Sequence, residues 1–456
     1  MVLTNSDYIS SNNLADILGV SRKTIQKWIL NGKYKPVEIT DNGALFDVCD
    51  LMDISEIQSM HNGEWDKEIT VEPQRTYTSV ELFAGAGGLA LGMEKAGFSH
   101  ILLNEIDPTA AETLRKNRPR WNVLEKDIHK VDFSPLRGKV DFLSGGFPCQ
   151  AFSYAGKGKG LDDARGTLFF ELARAVEEIQ PKVFMCENVK GLTSHDNGRT
   201  LAIIKQAIKE LGYSLVEPRV LKAILYQVPQ KRERLILIAI RNDLADKVQF
   251  HWPSPYKRLM TLRDAFYKGI LYNCDVPKSD GQKYPPKKQQ VLAQIPEGGD
   301  WRNLPEDVQR EYLGGSYHLE GGKTGMARRL ALDEPSLTLT CSPAQKQTER
   351  CHPTETRPLT IREYARIQTF PDDWQFAGGL SEQYKQIGNA VPVNLAYAIG
   401  RSLIRLFNDI EEVAPDSISY NETHKTARKM IQPKPQQTQF DFWQILQDIP
   451  KRVAVL

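Results

Sequence analysis

The sequence predicts an α/β protein: a doubly wound, Rossmann-like parallel sheet, a small irregular region beside it and a helical unit at the N-terminus. Three observations carry this. From Thr76, short β-branched or apolar runs alternate with segments of helical periodicity, the pattern of βαβ units. Between about residues 252 and 350 that alternation stops, and Pro, Gly, Lys and aromatics dominate instead. Across the 456 residues, 41% are hydrophobic and 25% charged, and 17 Phe, 16 Tyr and 7 Trp are enough to build real cores, which excludes a wholly disordered chain.

The length suggests two or three domains. No apolar run approaches the roughly 18 residues that cross a bilayer, so no membrane association is expected. The start, MVLTNSDYIS, lacks the basic and apolar parts of a secretory signal. The six cysteines, Cys49, Cys149, Cys186, Cys274, Cys341 and Cys351, are too scattered for a disulfide framework and contain no CxxC pair, so no metal site is expected. The expected setting is reduced and cytoplasmic. A net charge of +2 neither demands nor excludes a polyanionic partner.

In chain order, residues 1–70 form the N-terminal unit, ending in the acidic stretch HNGEWDKEITVEPQ. Its segment NNLADILGVSRKTIQKWILNGKYKP resembles a helix-turn-helix of the excisionase or MerR-like type. Leu14, Ile17 and Leu18 would pack one helix and Ile25, Trp28 and Ile29 the second, with Ser21 as N-cap after the Gly19 turn. Residues 1–70 carry six basic and eleven acidic residues, yet Arg22 to Lys35 contains five Lys/Arg and no acid. Arg22, Lys23 and Lys27 are therefore candidate DNA contacts; a small interaction module with a solvated lysine face is the alternative. Residues 76–251 hold the candidate strands YTSVELF, HILLNEI, VDFLSGG, KVFMCEN and RLILIAI, with the amphipathic helices LFFELARAVEEI and RTLAIIKQAIKEL between them. The irregular region spans 252–350. Regular patterning returns over 351–410, ending in the helix VNLAYAIGRSLIRLFNDI, and 411–456 reads as a flexible tail.

Chemistry-bearing residues fall at the strand ends. VELFAGAGGLALGMEKAG is a strand, a turn with Gly85, Gly87 and Gly88, then a helix, an arrangement that lets backbone N–H groups approach a ligand. Glu105 and Asp107 end the next strand about 20 residues on, where a doubly wound fold places the acid that binds a ribose. Asp127 and Ile128 follow at a third strand end. The turn departs from GxGxxG and no Walker lysine follows, so a nucleoside cofactor without a critical pyrophosphate fits, and S-adenosylmethionine is the candidate. Cys149 stands on a Pro-Cys corner after the strand VDFLSG, beside Gln150 and Ser153, and is better presented as a nucleophile than a core cysteine. YAGKGKGLDDARG, with Lys157, reads as a closing lid or a solvated loop. Glu187 ends the strand after that and suits a general acid. Arg232 and Arg234, two apart, are expected on one face of a strand edge, available to a substrate carbonyl, a phosphate or Glu187.

ELFAGAGGL, NEID, GGFPCQAFS, ENV at Glu187, QKRER, RPLTIREYARIQTFP and QIGNAVPV resemble, in order and spacing, the C5-cytosine DNA methyltransferases, and among them the bacterial type II restriction–modification methylases. The resemblance covers about residues 77–408, apart from the 252–350 block. It implies a SAM-binding catalytic domain over 76–251, completed by 351–410, and a target-recognition domain at 252–350. It implies that Phe83 stacks on the adenine, with Ala84, Gly85 and Gly87 near the methionine moiety. Glu105 would bind the ribose, Asp127 and Ile128 the adenine, and Pro148, Asn389 and Val391 would complete the cofactor pocket. Ile106 stands where members often have an aromatic, which weakens that stacking contact. Cys149 would attack C6 of the target cytosine, Glu187 engage N3 and the amino group, and Arg232 and Arg234 hold the base and the site. Gln150, Ser153 and Lys157 become candidate DNA contacts, although Ala155 replaces a serine found in some members.

C5 of cytosine is a poor nucleophile. A thiolate added at C6, with a carboxyl at N3, creates the enamine character that methylation needs, and the base must leave the stack to be reached. Residues 251–356 carry 15 Lys/Arg against 13 Asp/Glu, so specificity would rest on a few side chains reading guanine edges, with Arg328 and Arg329 as candidates. The implied partners are double-stranded DNA and, functionally, a cognate restriction endonuclease; the enzyme is expected to act as a monomer. The N-terminal unit would add affinity for the substrate or regulate transcription of its own operon. Two competing readings are a tRNA cytosine methyltransferase and a catalytically idle DNA-binding regulator.

Overall fold

The computed structural model describes residues 8–40, 43–147, 168–320, 323, 325–415, 426–427 and 430. The chain forms two compact units, one of residues 1–69, 222–232 and 253–398, the other of 70–221, 233–252 and 399–456. Residues 351–398 thus group with the irregular region in the first unit.

The first unit opens with β1 (Tyr8–Ser10), α1 (Ser11–Leu18) and α2 (Arg22–Leu30). Serine caps start both helices: Ser10 Oγ accepts the Asn13 N–H and Ser21 Oγ the Thr24 N–H, each at 3.1 Å. Gly19 ends α1 in the left-handed region at φ 69°, the turn expected from the sequence. Leu14, Ile17 and Ile25 are fully buried, but Leu18, Trp28 and Ile29 only half so. A hairpin of β2 (Glu38–Thr40) and β3 (Gly43–Asp47) follows and pairs with β1 into a three-stranded antiparallel sheet. α3 (Ser55–His61) and α4 (Trp65–Glu68) complete the segment.

In the second unit the chain runs β4 (Tyr77–Leu82), α5 (Gly88–Ala96), β5 (Phe98–Glu105), α6 (Pro108–Asn117), β6 (Val123–Glu125), β7 (Phe142–Gly146), α7 (Leu168–Ile179), β8 (Val183–Val189), α8 (Arg199–Glu210), β9 (Tyr213–Leu215) and β10 (Arg219–Lys222). After β11 (Gln230–Lys231), which belongs to the first unit, β12 (Glu233–Arg241) and α9 (Asn242–Ala245) follow. The sheet order is β10-β12-β8-β7-β4-β5-β6, with β9 on β12. From β6 to β8 all neighbours are parallel, as expected, but β12 runs antiparallel to β8. A continuous apolar run such as RLILIAI encodes burial and not direction; after α8 the chain enters β9 and then doubles back, so that β12 runs antiparallel to β9 as well as to β8. Leu143, Phe147, Phe169, Leu172 and Phe184 lie in the main core.

The rest of the first unit holds α10 (Leu262–Phe266), α11 (Pro286–Ala293), α12 (Glu306–Leu313), β13 (Ser336–Leu337), α13 (Ile361–Ile367) and α14 (Leu380–Asn389). α15 (Val393–Val413) begins here and passes into the second unit at residue 399. β11 pairs with β13 in parallel. One apolar cluster of the irregular region centres on Tyr284, Leu292, Ile295, Leu304, Ala327 and Cys351. Buried ions lie beside it. Glu349, fully buried, accepts from Lys288, Tyr312 and the Ala327 N–H. Among the described residues, no helix is long and apolar enough to cross a membrane.

Candidate active site

In the second unit the chain proceeds from β4 through β5 to β6 on one side and from β7 to β8 on the other. The switch point of the sheet therefore lies between β4 and β7, where open α/β sheets bind ligands at their C-terminal ends. Leu82 and Gly145 are partners across it, so the glycine-rich turn and the chain leading to the Pro-Cys corner leave adjacent strands. Pro148, Cys149, Gln150, Ser153 and Lys157 lie outside the described residues.

The turn after β4 takes the left-handed region at Phe83 (φ 58°), Gly85 (φ 54°) and Gly87 (φ 84°). Gly87 is the N-cap of α5 and brings no side chain, which leaves the helix start open to a ligand. The protein fastens that start from the strands instead. Glu81, 1% exposed, accepts the Ala90 N–H, and burial holds its carboxyl well above the usual range. His100 Nε2 bonds the Ala90 carbonyl at 2.7 Å and Nδ1 meets Ser79 Oγ at 2.8 Å. Because a carbonyl only accepts, Nε2 carries the proton; burial lowers the pKa of this ring.

Glu105 joins two of the expected cofactor elements. Its Oε2 accepts the Gly85 N–H at 2.7 Å, and Oε1 accepts those of Ile106 and Asp107, each at 2.8 Å. A carboxylate has about four acceptor positions, so one is left for a ligand hydroxyl. Ile106 is 64% exposed beyond the strand end, Phe83 is half-buried, and Ala84 and Ile128 are buried. Asp127 caps a short turn and bonds His129 Nδ1 at 2.8 Å; that hydrogen bond holds its pKa below the usual carboxylate range. An open helix start, a buried-rim carboxylate with a spare acceptor and an exposed apolar residue beside it fit a nucleoside bearing a charged tail.

Glu187 on β8 and Arg234 on β12 form an ion pair, Arg234 Nε to Glu187 Oε1 at 2.6 Å, with side chains 12% and 11% exposed. Glu187 is the partner of Ile236 and Arg234 that of Val189, so the two are diagonal cross-strand neighbours. Gly146, at the end of β7, makes room: a Cβ there would lie 2.9 Å from Glu187 Oε2. Asn188 Nδ2 donates to the Phe147 carbonyl at 2.9 Å and ties β8 to the chain leading to Cys149. Cys186 is buried and its thiol is pushed up to about 12, which makes it an inert core residue.

Arg232 departs from the expectation of sharing a strand face with Arg234. β11 ends at Lys231 and β12 begins at Glu233, and Arg232 turns into the first unit, where it is 2% exposed. Its guanidinium donates to the carbonyls of Leu339 (3.3 Å) and Gly388 (3.0 Å). It thus braces the segment before Asn389. Gln368 does the same, donating to the carbonyls of Ile387 and Ala390 at 2.7 and 3.1 Å, and receives a bond from Gln230 at 2.9 Å. Asn389 is exposed and Val391 buried, both in the first unit.

Arg329 is 5% exposed, and its guanidinium donates to the carbonyls of Ile295, Leu292, His352, Pro353 and Glu355 and to Thr356 Oγ1. A guanidinium has five N–H donors, so this set leaves none for a base edge; a lone basic pair in sequence cannot distinguish such a brace from a reader. Arg328 is mostly buried beside Asp300 at 3.5 Å. Arg22 is paired with Glu334, while Lys23 and Lys27 are exposed on α2. Glu81, Gly146, Asn188 and Gln368 are contributors that the sequence reading missed; of these only Gly146, in the glycine pair before Pro-Cys, carried a legible signal.

Residues 77–405 match the family model described as C-5 cytosine-specific DNA methylase. The chain is 59% identical over 404 residues to the type II methyltransferase M.Eco47II of Escherichia coli, covering 88% of this chain and 97% of that one. It is 57% identical over 403 residues to the type II methyltransferase M.PspPI of Psychrobacter sp. (strain TA137), with the same coverage. Among solved structures, a candidate DNA modification methyltransferase encoded in an E. coli prophage aligns with a TM-score of 0.52 and 25% identity, over 73% of this chain and all of that one.

Proposed function

The chain belongs to the C-5 cytosine-specific DNA methylases, and from that premise we propose that it modifies one cytosine within a short site of double-stranded DNA as the methylase of a type II restriction–modification pair. The observation that carries the site assignment is the Glu187–Arg234 pair packed against Gly146, which ends β7, the strand that flanks the switch point. Arg234 holds the Glu187 carboxyl in one orientation, which prepares it to meet N3 and the amino group of a cytosine taken out of the stack. The Cys149 thiolate adds to C6 as a proton is delivered to N3 through Glu187, so that no net charge builds on the ring. Once C5 carries the methyl group, H5 leaves as a proton, the thiolate is expelled and the N3 proton is returned, which restores the aromatic ring.

S-adenosylmethionine, when bound, supplies the methyl group that C5 receives. Glu105 would offer its remaining acceptor position to the ribose, the open start of α5 would take the charged tail, and Phe83, Ile106, Asp127 and Ile128 would hold the adenine. Methylation protects the host's copies of the site from a nuclease with the same specificity, and one chain suffices for each turnover.

Bisulfite sequencing of plasmid DNA from cells expressing the chain tests this. One short methylated motif, absent with Cys149→Ala and strongly reduced with Glu187→Gln, is the expected result. Methylation that survived Cys149→Ala would remove the assigned nucleophile, and no methylation by the unaltered chain would remove the DNA reading itself.

A further inference from the structure

We propose that the N-terminal segment is a fixed lobe of the first unit that adds phosphate contacts to the enzyme's own substrate duplex. The inference rests on the DNA-methylase reading above and goes beyond it by giving this segment a partner and a mode of action.

The lobe is fastened along several of its elements. On α1, Asp16 pairs with Lys231 at 2.7 Å, with side chains 13% and 24% exposed, and the Ile17 carbonyl accepts from Lys222 Nζ at 2.7 Å. On α3, Glu56 pairs with the same Lys222 at 3.1 Å. Glu68 of α4 accepts the N–H and the hydroxyl of Ser254 at 2.9 and 2.7 Å, and Trp65 packs edge-on against Tyr256 with ring centroids 5.5 Å apart. At the start of α2, Arg22 is bound to Glu334. A domain on a free hinge would leave these acids and bases in water. Here they connect the lobe to residues 222–232, which carry Lys231 and the brace Arg232, and to Glu334, two residues before β13.

The fastening consumes Arg22 but spares the rest of the basic stretch. Lys23, Lys27, Lys33 and Lys35 are all exposed, in a run with no acid from Arg22 to Lys35. Four of the eleven acids in residues 1–70, namely Asp16, Glu56, Glu68 and Asp53, are turned inward or held by partners in this unit, Asp53 accepting from the Tyr34 hydroxyl at 2.8 Å. An exposed face of one sign, held rigidly on the unit expected to read the target, matches the polyanion the enzyme already binds.

The test uses the full chain and a 30-base-pair duplex centred on the motif mapped by bisulfite sequencing. Its dissociation constant is measured from 50 to 200 mM NaCl for the unaltered chain, Lys23→Ala/Lys27→Ala, and Lys209→Ala as a charge control on α8 of the other unit. Loss of two phosphate contacts lowers the slope of log K against log salt by about 2, so the advantage of the unaltered chain shrinks roughly tenfold across that range. Lys209→Ala keeps the original slope. Asp16→Lys, which breaks the fastening, reproduces the double variant's weakness, and adding Lys231→Asp restores binding. An unchanged slope in the lysine variant overturns the phosphate contacts, and normal binding by Asp16→Lys overturns the fixed lobe. Either failure with plasmid methylation intact rejects this inference alone; no methylation by the unaltered chain rejects the reading beneath it.

Discussion

At the scale of single residues, the Glu187–Arg234 pair shows how a strand sheet turns composition into chemistry. Breaking a buried pair leaves its partner's charge uncompensated, at a cost of about 3–5 kcal/mol. Arg234→Ala is therefore expected to lower both the melting temperature and kcat, whereas Arg234→Lys recovers part of the stability and less of the activity, since an ammonium cannot match the fork of a guanidinium. Steady-state kinetics beside thermal denaturation separates the two effects; equal activity in both variants would refute the orienting role. Gly146→Ala tests the same carboxylate from the other side. Its Cβ would sit 2.9 Å from Glu187 Oε2, so kcat should fall at least tenfold while the melting temperature changes little. Full activity in that variant would mean that Glu187 does not need its present position.

At the scale of elements, α5 is held at Ala90 by two buried groups, Glu81 on the N–H and His100 on the carbonyl. Glu81→Gln keeps the acceptor and the neutral form favoured by burial, so its affinity for S-adenosylmethionine should stay within about threefold of the original. Glu81→Leu leaves a helix-start N–H unpaired, at roughly 1–3 kcal/mol, and should weaken that affinity; calorimetry compares them. His100 makes the fold pH-sensitive. Its folded pKa lies below the ordinary 6.5, so the unfolded chain binds more protons in that window and stability falls as pH drops through it. The melting temperature should fall more steeply from pH 7 to pH 5 in the unaltered chain than in His100→Gln, and parallel curves would contradict this. Helices and strands were well legible because long amphipathic or apolar runs announce themselves: LFFELARAVEEI is α7 to the residue. The antiparallel direction of β12 was not, because direction is set by the preceding connection.

For the whole molecule, the first unit is assembled from three stretches of chain that are distant in sequence, and fully or nearly fully buried arginines lie within it. Arg329→Met removes every donor from a set of main-chain carbonyls and is expected to destabilise this unit by several kcal/mol; a melting curve unchanged by it would show those bonds to be dispensable. Arg232 makes the same point about legibility. Spacing placed it beside Arg234, but the chain leaves one unit for the other between these residues, and the guanidinium braces Gly388 instead. What the sequence determined by itself was the alternation of the sheet, the glycine-rich turn, the acids at the strand ends and the ordered motifs of the family, because these depend on local periodicity and on residues fixed by chemistry. Tertiary structure alone decided which charges are buried and whom they meet: that Arg234 holds Glu187, that Arg329 is spent on carbonyls, and that Asp16 and Arg22 fasten the N-terminal lobe. The physical reason is that a charged side chain is assigned by desolvation and by partners brought from far along the chain, and neither is written in its neighbours.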